Sequence, residues 1–363
     1  MKATLDKTAL SAALGRCAPA AALSARRGGG FVRLAWENRS LTLDGCDGDL
    51  MIRAVLDNVD GDEGECLFPV RLGTQVLGAL GGGPVTIAST NDGVTVELGQ
   101  SAFELNSPGL DSMFLLPTLA GVPEEVRSTE FCEALSRVVY AASTDIARPT
   151  LTGVLLHAGE SGLRLVATDS YRLVVRDVPG ATMGWEEDAV LPARALAEVA
   201  RSFRTVDETL TVRKENDLVS FAANGTVVTT RLIEGQYPDY ARLLPPASQT
   251  VLVSDVEPAV EALKRMELIR GNGVGPTVLE IDATGVQLST RASERGMARE
   301  RLDGKTEGKP LTVGCNPTFL AEAIHHTGGE QFALMCVDAL KPIKVTGTHD
   351  DRYLALVMPV RMD

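Results

Sequence analysis

The chain has 363 residues, of which 44% are hydrophobic and 23% are charged, and this length suggests two or three domains of ~100 to 200 residues each. The composition is ordinary for a globular protein and excludes the disordered and fibrous classes. Its 35 Lys and Arg against 48 Asp and Glu leave a net charge of -13, and only 4% of the residues are aromatic. Both values argue against a protein that holds nucleic acid by bulk charge or by base stacking.

The sequence shows no signal for a membrane, a secretory route or a metal. It contains no run of the ~20 apolar residues that a membrane span needs, and residues 1–6 lack the apolar core of a signal peptide. We therefore expect a cytoplasmic protein. The six cysteines stand far apart without a C-x-x-C pair, so we expect reduced, mostly buried thiols rather than a zinc or redox site.

The first predicted helix of each third of the chain contains the pattern Ala-Leu-x-Arg, after a polar or acidic residue that is typical of helix starts. Its copies lie about 121 to 128 residues apart, at 13–16, 134–137 and 262–265. The Leu of each copy lies on the predicted apolar face, and the Arg two residues later is rotated from it by about 200°. We therefore expect three arginines to face away from the core: Arg16, Arg137 and Arg265.

A second predicted helix in each third opens with a proline, a favoured residue at the first helical position. These prolines, Pro69, Pro192 and Pro317, lie about 123 to 125 residues apart, and segments of period two that predict strands surround the helices. Each third reads as strand, helix and strands, followed again by strand, helix and strands. The common period predicts an α+β protein built from three copies of one unit, with domains at 1–122, 123–246 and 247–363.

Catalytic motifs are missing from the sequence. There is no G-x-S-x-G and no H-E-x-x-H, and Gly304-Lys305-Thr306 has Arg299 where a phosphate-binding loop requires glycine. We therefore expect a protein that is not an enzyme and that uses neither a metal nor a cofactor. An enzyme whose site forms only in three dimensions stays open as an alternative.

Four segments together resemble the bacterial DNA polymerase III beta subunit, the sliding clamp, and most closely its actinobacterial forms. They are residues 148–153, 167–173, 237–245 and 357–361. The resemblance covers the whole chain in length, in threefold repetition and in the position of each motif. It implies three DNA-clamp domains, each with two helices on antiparallel sheets, and a head-to-tail homodimer whose six domains close as a ring around duplex DNA.

The same resemblance implies a processivity factor with no catalytic site of its own. A clamp loader would place it on double-stranded DNA, and it would tether the DNA polymerase III alpha subunit and other proteins that carry clamp-binding peptides. Contacts to phosphates alone would leave the DNA sequence unread and let the ring slide. The net charge of -13 would then reside mainly on the outer surface, away from the DNA.

In this family, partner peptides dock in an apolar cleft between the second and third domains. The resemblance implies a cleft at the matching positions, which are Leu151, Thr168, Ser170, Tyr171, Arg172, Leu173, Pro238, Arg242, Leu243, Leu356, Met358, Pro359, Val360 and Arg361. Leu, Met and Pro would form adaptable apolar walls, and Arg172 and Arg242 would bond peptide carbonyls at the rim. Leu173 and Leu243 as plain core residues remain the alternative.

Two further sets of residues follow from the resemblance. The candidates for a DNA-facing lining are Arg26, Arg27, Arg71, Arg137, Arg194, Arg201, Lys264 and Arg265, and for each the alternative is a solvated surface charge. The candidates for the contact between subunits are Phe103, Leu105, Leu268 and Ile269, with an internal core role as the alternative.

The chain departs from the family pattern at two places. Residues 25–31 replace an Arg-Pro-x-x-Pro-like stretch, which puts the DNA role of Arg26 and Arg27 in doubt, and Ser170 stands where glycine is common. These departures leave open whether the chain is a housekeeping clamp or a divergent second copy. A ring scaffold that gathers partners without DNA is a further alternative.

Overall fold

The computed structural model describes residues 1–21, 30–110, 116–159, 162–185, 187–245, 247–270, 275–290 and 296–362. The chain divides into two compact units. The first comprises Met1–Cys132 with Arg194–Leu232, and the second comprises Glu133–Ala193 with Ile233–Asp363. None of the described helices has the length and apolar character needed to span a bilayer.

The described residues form six α-helices, two in each third of the chain. They are α1 (Lys7–Ala21), α2 (Val70–Ala79), α3 (Ser128–Ser136), α4 (Ala193–Phe203), α5 (Val256–Arg270) and α6 (Pro317–His325). Polar side chains begin two of them, because the first helical N–H groups lack partners within the helix. Asp6 accepts hydrogen bonds from the N–H groups of Thr8 and Ala9 at 2.9 and 3.0 Å, and Asn316 accepts one from that of Thr318 at 3.0 Å.

The three prolines predicted to open helices do so in two different ways. Pro317 is the first residue of α6, as predicted, whereas Pro69 and Pro192 end the strands that precede α2 and α4. The prediction of a first-turn proline is therefore wrong for α2 and α4, although each helix begins directly after its proline. Proline suits both places, because it lacks the N–H that either a helix interior or a strand would use.

The strands follow the same threefold order, with one strand before the first helix of each third, four or five between the helices and three after the second. They are β1 (Lys2–Asp6), β2 (Phe31–Glu37), β3 (Ser40–Cys46), β4 (Leu50–Leu56), β5 (Asp60–Asp62), β6 (Gly64–Pro69), β7 (Pro84–Ser89), β8 (Gly93–Leu98), β9 (Ser101–Asn106), β10 (Glu124–Arg127), β11 (Gly153–Gly159), β12 (Gly162–Thr168), β13 (Arg172–Pro179), β14 (Ala189–Pro192), β15 (Thr209–Glu215), β16 (Leu218–Ala223), β17 (Thr226–Arg231), β18 (Thr250–Asp255), β19 (Thr277–Asp282), β20 (Gly285–Thr290), β21 (Arg299–Asp303), β22 (Lys305–Gly308), β23 (Leu311–Cys315), β24 (Gln331–Cys336), β25 (Ile343–Gly347) and β26 (Tyr353–Val357).

The first unit contains two antiparallel sheets. One has the order β5-β1-β7-β8-β9, and the other has the order β10-β15-β16-β17-β4-β3-β2-β6. The pairing of β4 with β17, which sets Ile52 opposite Val228, continues one sheet from the first third into the middle third. The larger sheet also carries ion pairs across its strands, because Asp44, whose side chain is 1% exposed, bonds both Arg33 and Arg53.

The second unit contains two more antiparallel sheets. One has the order β14-β11-β12-β13-β26-β25-β24-β18-β22, and the other has the order β21-β20-β19-β23. Here β13 pairs with β26 and sets Leu173 opposite Leu356, so this sheet continues from the middle third into the last. Each large sheet therefore takes part of the middle third, which is why the compact units do not coincide with the thirds of the sequence.

The helices turn their apolar faces to buried positions. In α4, Leu196, Val199 and Phe203 recur at helical spacing and are at most 1% exposed, whereas Arg201 on the other face is exposed. Six α-helices on antiparallel sheets confirm the predicted α+β class.

Candidate functional site

An apolar cluster in the second unit forms the base of the candidate cleft. Its six buried residues come from β11, β12, β13, β14 and β26, and they are Leu155, Val166, Leu173, Val175, Val190 and Leu356. Half-buried side chains of the segment after β17 pack against them, including Ile233, Tyr237, Tyr240 and Leu244. Burial raises the pKa of the Tyr237 hydroxyl, which donates a hydrogen bond to the carbonyl of Val166 at 3.3 Å.

A three-residue turn joins β12 to β13 at the edge of this cluster. The Asp169 carboxylate accepts hydrogen bonds from the N–H groups of Tyr171 and Arg172 at 2.8 and 2.9 Å. The Thr168 hydroxyl donates to the carbonyl of Arg172 at 2.6 Å. Ser170 adopts a φ of 79°, a left-handed conformation that glycine takes more readily.

Three large apolar side chains of the predicted cleft remain exposed. Tyr171 is 62% exposed, Leu243 48% and Met358 38%, although each comes from a different segment of the chain. The N–H of Met358 donates to the carbonyl of Tyr171 at 2.9 Å, so two of the three segments are joined directly. Exposed apolar groups beside a buried apolar cluster are what a surface needs to take up an apolar segment of a partner.

Other predicted cleft residues lie beneath this surface. Leu151 and Thr168 are 6% exposed, and Leu173 and Leu356 are 2% exposed, so these four form the floor and not the walls. The core alternative therefore holds for Leu173, whereas the exposure of Leu243 excludes it there.

The predicted rim arginines differ in their surroundings. Arg242 follows the exposed Pro238 on a short 3-10 turn, and its side chain is 85% exposed while it pairs with Asp239 at 2.6 Å. Arg172 is only 12% exposed, and its guanidinium bonds Asp169, Glu322 and the carbonyl of Tyr140. The structure thus places Arg172 inside the protein and not at the predicted open rim, and three of its N–H donors already have partners there.

The C-terminal part of the predicted cleft is fixed by its backbone. Pro359 and Val360 are half-buried and Arg361 is exposed, and the N–H of Val360 donates to the carbonyl of Gly314 at 2.8 Å. Sequence reasoning missed Tyr140, Phe319 and Glu322, which surround Arg172. Their separation from it along the chain left no local pattern that would have identified them.

Two family models match adjoining parts of the chain. Residues 125–239 match the central domain of the DNA polymerase III beta subunit, and residues 241–361 match its C-terminal domain. Together the two matches span well over half of the chain. The chain belongs to the beta sliding clamp family.

Similar proteins match nearly the full chain. The beta sliding clamp of Streptomyces coelicolor is 29% identical over 338 residues, which are 90% of each chain. A beta sliding clamp homolog, GriR, of Streptomyces muensis is also 29% identical over 338 residues, which are 90% of this chain and 89% of the relative. The crystal structure of the Bacillus subtilis sliding clamp superposes with a TM-score of 0.90 at 23% identity and covers 100% of both chains. Members of the family are non-catalytic processivity factors.

The candidate DNA-facing residues of the chain fall into three groups. Arg26 and Arg27 lie outside the described residues. Arg71 and Lys264 are exposed and form no ion pair among the residues that the structure describes. The remaining four, Arg137, Arg194, Arg201 and Arg265, each pair with at least one carboxylate.

Arg137 differs most from its predicted surface position. The helix α3 ends at Ser136, so Arg137 follows the helix instead of lying on its outer face. Its side chain is 15% exposed and contacts Glu133, Asp350 and the carbonyl of Thr327. The prediction that Arg137 faces solvent is therefore wrong.

Two more of the paired arginines have side chains that are about half exposed. Arg194 forms an ion pair with Asp47 at 2.6 Å and donates a hydrogen bond to the carbonyl of Pro19 at 2.6 Å, and Arg201 pairs with Glu198 at 2.6 Å. Their side chains remain 46% and 48% exposed.

Arg265 makes a bidentate contact with one carboxylate. It reaches both oxygens of Glu300, at 2.7 and 2.6 Å, and its side chain is 51% exposed. Hydrogen bonds from Arg265 lower the pKa of the Glu300 carboxyl. A phosphate would have to compete with that carboxylate for the guanidinium, so Arg265 is less available to an anion than an unpaired arginine would be.

The candidate residues for a subunit contact differ in how far their side chains are exposed. Phe103 on the edge strand β9 and Leu268 on α5 are 38% and 73% exposed, and Ile269 is half-buried. Leu105 is only 4% exposed and stands opposite the buried Val94 of β8. Its side chain belongs to the core of the sheet, so the prediction that it contacts another subunit is wrong.

An apolar groove of about 360 Å³ lies between α5 and α6 in the second unit. Val260, Leu263 and Leu268 line one wall, and Pro317 and Ala321 line the other. The candidate DNA residue Lys264 lies at its margin together with Glu322. No group of metal-ligating side chains occurs in the part of the chain that the structure describes.

Proposed function

We propose that this protein is a DNA sliding clamp, a processivity factor that encircles duplex DNA and tethers the replicative polymerase. The observation that carries the proposal is the exposed apolar surface of Tyr171, Leu243 and Met358 over a buried cluster, on a chain that belongs to the beta sliding clamp family. An exposed apolar surface on a soluble fold marks a place where a partner binds. The partner is a short peptide with apolar side chains, carried by the DNA polymerase III alpha subunit, the clamp loader and other replication and repair proteins.

The proposal includes three domains, at 1–122, 123–246 and 247–363, and a head-to-tail homodimer in the cytoplasm. Six such domains close into a ring with Phe103 and Leu268 at the contact between subunits. The threefold order of the strands and helices supports the domains, and the exposure of these two apolar side chains supports the contact.

The charges of the chain favour a protein that stays on DNA because it encloses the duplex, and not because it binds the duplex tightly. The chain carries 13 excess negative charges, and four of its candidate DNA-facing arginines already pair with carboxylates. Each phosphate contact contributes to binding by releasing counterions. Because most of its described candidate DNA-facing arginines are already paired, the protein binds open DNA weakly and remains on DNA only when it encloses it.

Primer extension on a long circular single-stranded template tests the proposal. The reaction contains the organism's own polymerase III alpha subunit and clamp loader, with and without this protein. We expect products many times longer in its presence at moderate salt, and a variant with Leu243→Ala and Met358→Ala should lose that gain. Product lengths that do not change on addition of the wild-type protein would refute the clamp function.

A further inference from the structure

The Arg172 cluster is a set of five residues: Tyr140, Asp169, Arg172, Phe319 and Glu322. The guanidinium donates to Asp169 at 2.9 Å, to the carbonyl of Tyr140 at 2.6 Å and to Glu322. The Phe319 and Tyr140 rings lie 4.6 and 5.1 Å from its central carbon, within range of cation–π attraction. Arg172 thus connects the turn before β13 with the helix α6, about 150 residues later in the chain.

Asp169, in the turn before β13, helps to fix the positions of two exposed cleft residues, Tyr171 and Met358. Asp169 uses one carboxylate oxygen for the N–H groups of Tyr171 and Arg172, and the other for the Arg172 guanidinium. Tyr171, two residues after Asp169, has an exposed side chain, and its carbonyl accepts a hydrogen bond from the N–H of Met358. Movement of the Asp169 carboxylate would therefore displace Tyr171 and loosen Met358.

Tyr140, the cluster residue that packs on the end of α6, is held by contacts outside the cleft. The Tyr140 ring stacks on His326 with a centroid distance of 4.3 Å, and its hydroxyl lies 2.8 Å from that of Tyr353. Tyr353 in turn donates to the carbonyl of Ala323 at 2.9 Å. These contacts fix Tyr140 against the last turn of α6, and Glu322 projects from the same helix with its side chain 41% exposed.

We propose that Arg172, Glu322 and Tyr140 are positioning residues for partner-peptide binding. They fasten the Asp169–Tyr171 turn to α6 and so hold Tyr171 and Met358 in the arrangement that receives the peptide, without touching the peptide themselves. This inference rests on the proposed function, because it assigns the cluster a role in the peptide cleft. It differs from the expectation for the rim, where an arginine would contact the peptide directly.

A positioning role predicts that Glu322 acts through Arg172. Glu322→Gln keeps the size of the side chain and removes its charge, so the ion pair is lost while the helix is retained. Binding of a fluorescein-labelled peptide, taken from the clamp-binding segment of the organism's polymerase III alpha subunit, is measured by anisotropy. We expect affinity to fall about five- to tenfold, the size of effect that follows loss of a charged hydrogen bond.

The control for that substitution is Glu280→Gln. Glu280 is an exposed carboxylate on β19 with no ion pair in the described ranges, and the change in charge is the same. We expect the control to bind the peptide within twofold of the wild type. Equal losses for Glu322→Gln and Glu280→Gln would assign the effect to overall charge and overturn the inference.

A double-mutant cycle tests whether Arg172 and Glu322 act together on peptide binding or contribute to it independently. Arg172→Lys retains the positive charge but cannot reach Asp169, Glu322 and Tyr140 at once, since an ammonium is compact whereas a guanidinium is a planar fork. We expect Arg172→Lys to weaken binding at least as much as Glu322→Gln, and the double variant to be no weaker than Arg172→Lys alone. Additive losses would mean that the two residues act separately, which contradicts the inference.

Hydrogen exchange tests the same claim without a peptide. The N–H groups of Tyr171 and Arg172, both bonded to Asp169, should exchange several times faster in Glu322→Gln while helix α6 keeps its protection. Unchanged exchange at these two amides would overturn the inference even if affinity fell. A wild-type protein that fails to bind the peptide would instead refute the proposed function, and the exchange result would still decide the positioning role.

Discussion

The backbone N–H of Met358 donates a 2.9 Å hydrogen bond to the carbonyl of Tyr171. It joins the end of β26 to the turn between β12 and β13, so two motifs that lie about 190 residues apart in the sequence form one surface. Both side chains remain exposed. The contact explains how a cleft can be rigid although its walls come from distant segments, since backbone geometry fixes their spacing.

Loss of the exposed apolar side chains should abolish partner binding without unfolding the protein. In a variant with Leu243→Ala and Met358→Ala we expect the affinity for the polymerase peptide to fall at least tenfold, because both side chains leave the apolar surface. Its melting temperature should stay within about 2 °C of the wild type, since little buried volume is removed. The matched control is Met297→Ala, which removes an apolar side chain that is 56% exposed just before β21, in the other sheet of the same unit; equal losses of affinity in the two variants would contradict the cleft.

Exposed cations on the helices should support retention on DNA. We expect simultaneous reversal of Arg71, Arg201 and Lys264 to Glu to reduce retention after loading and to flatten the salt dependence of binding to open duplex, because each lost phosphate contact lowers the slope by about one. Arg194 is not reversed, since a new carboxylate there would face Asp47, whose side chain is 1% exposed.

The control for this variant reverses three exposed arginines on or at the ends of strands. Arg39, Arg127 and Arg231 are each exposed and each pair with one carboxylate, so the change in net charge is the same. Retention that falls equally in both triple variants would mean that total charge, not the helix residues, governs the interaction with DNA.

Acid should destabilise the second unit through His326. Burial, with further contributions from His325, Arg137 and Arg172, lowers the pKa of His326 to about 4 from its usual 6.5. As the pH falls from about 6.5 to about 4, the unfolded chain takes up a proton that the folded chain does not, so stability is lost over that interval. We expect the urea midpoint of His326→Phe to fall less over this range than that of the wild type, whereas the exposed His349→Gln should follow the wild type.

The subunit contact should depend on Phe103 and Leu268 and not on Leu105. In sedimentation at micromolar concentration we expect the wild type to be a dimer, and Leu268→Glu to be a folded monomer, because a charge in an apolar interface is costly to bury. Glu at position 268 adds its charge at a site that is exposed in one chain, so the monomer should keep the wild-type melting temperature. A wild type that sediments as a monomer, or a Leu268→Glu variant that remains dimeric, would contradict this contact.

The threefold architecture was open to prediction because it rests on local signals. The helix copies and the three prolines recur at a common period. The copies lie within α1 and α5 and at the end of α3, and each proline marks a helix start or the end of the strand before it. Interactions between distant segments carry no such signal. The pairing of Arg172 with Glu322 and the burial of Leu105 opposite Val94 depend on tertiary packing, and for that reason an arginine predicted for the rim lies inside and a predicted contact residue lies in the core. The prediction for Arg137 was wrong for a local reason, since α3 ends one residue earlier than the repeat suggests.

Retention on DNA of different topology tests the central claim most directly. The protein is loaded by the organism's clamp loader onto nicked circular DNA, separated from free protein at moderate salt, and measured before and after the circle is cut once. We expect the protein to stay on the circle and to leave within minutes of linearisation, because a closed ring slides off a free end. Equal retention on circular and linear DNA, or none on either, would contradict it.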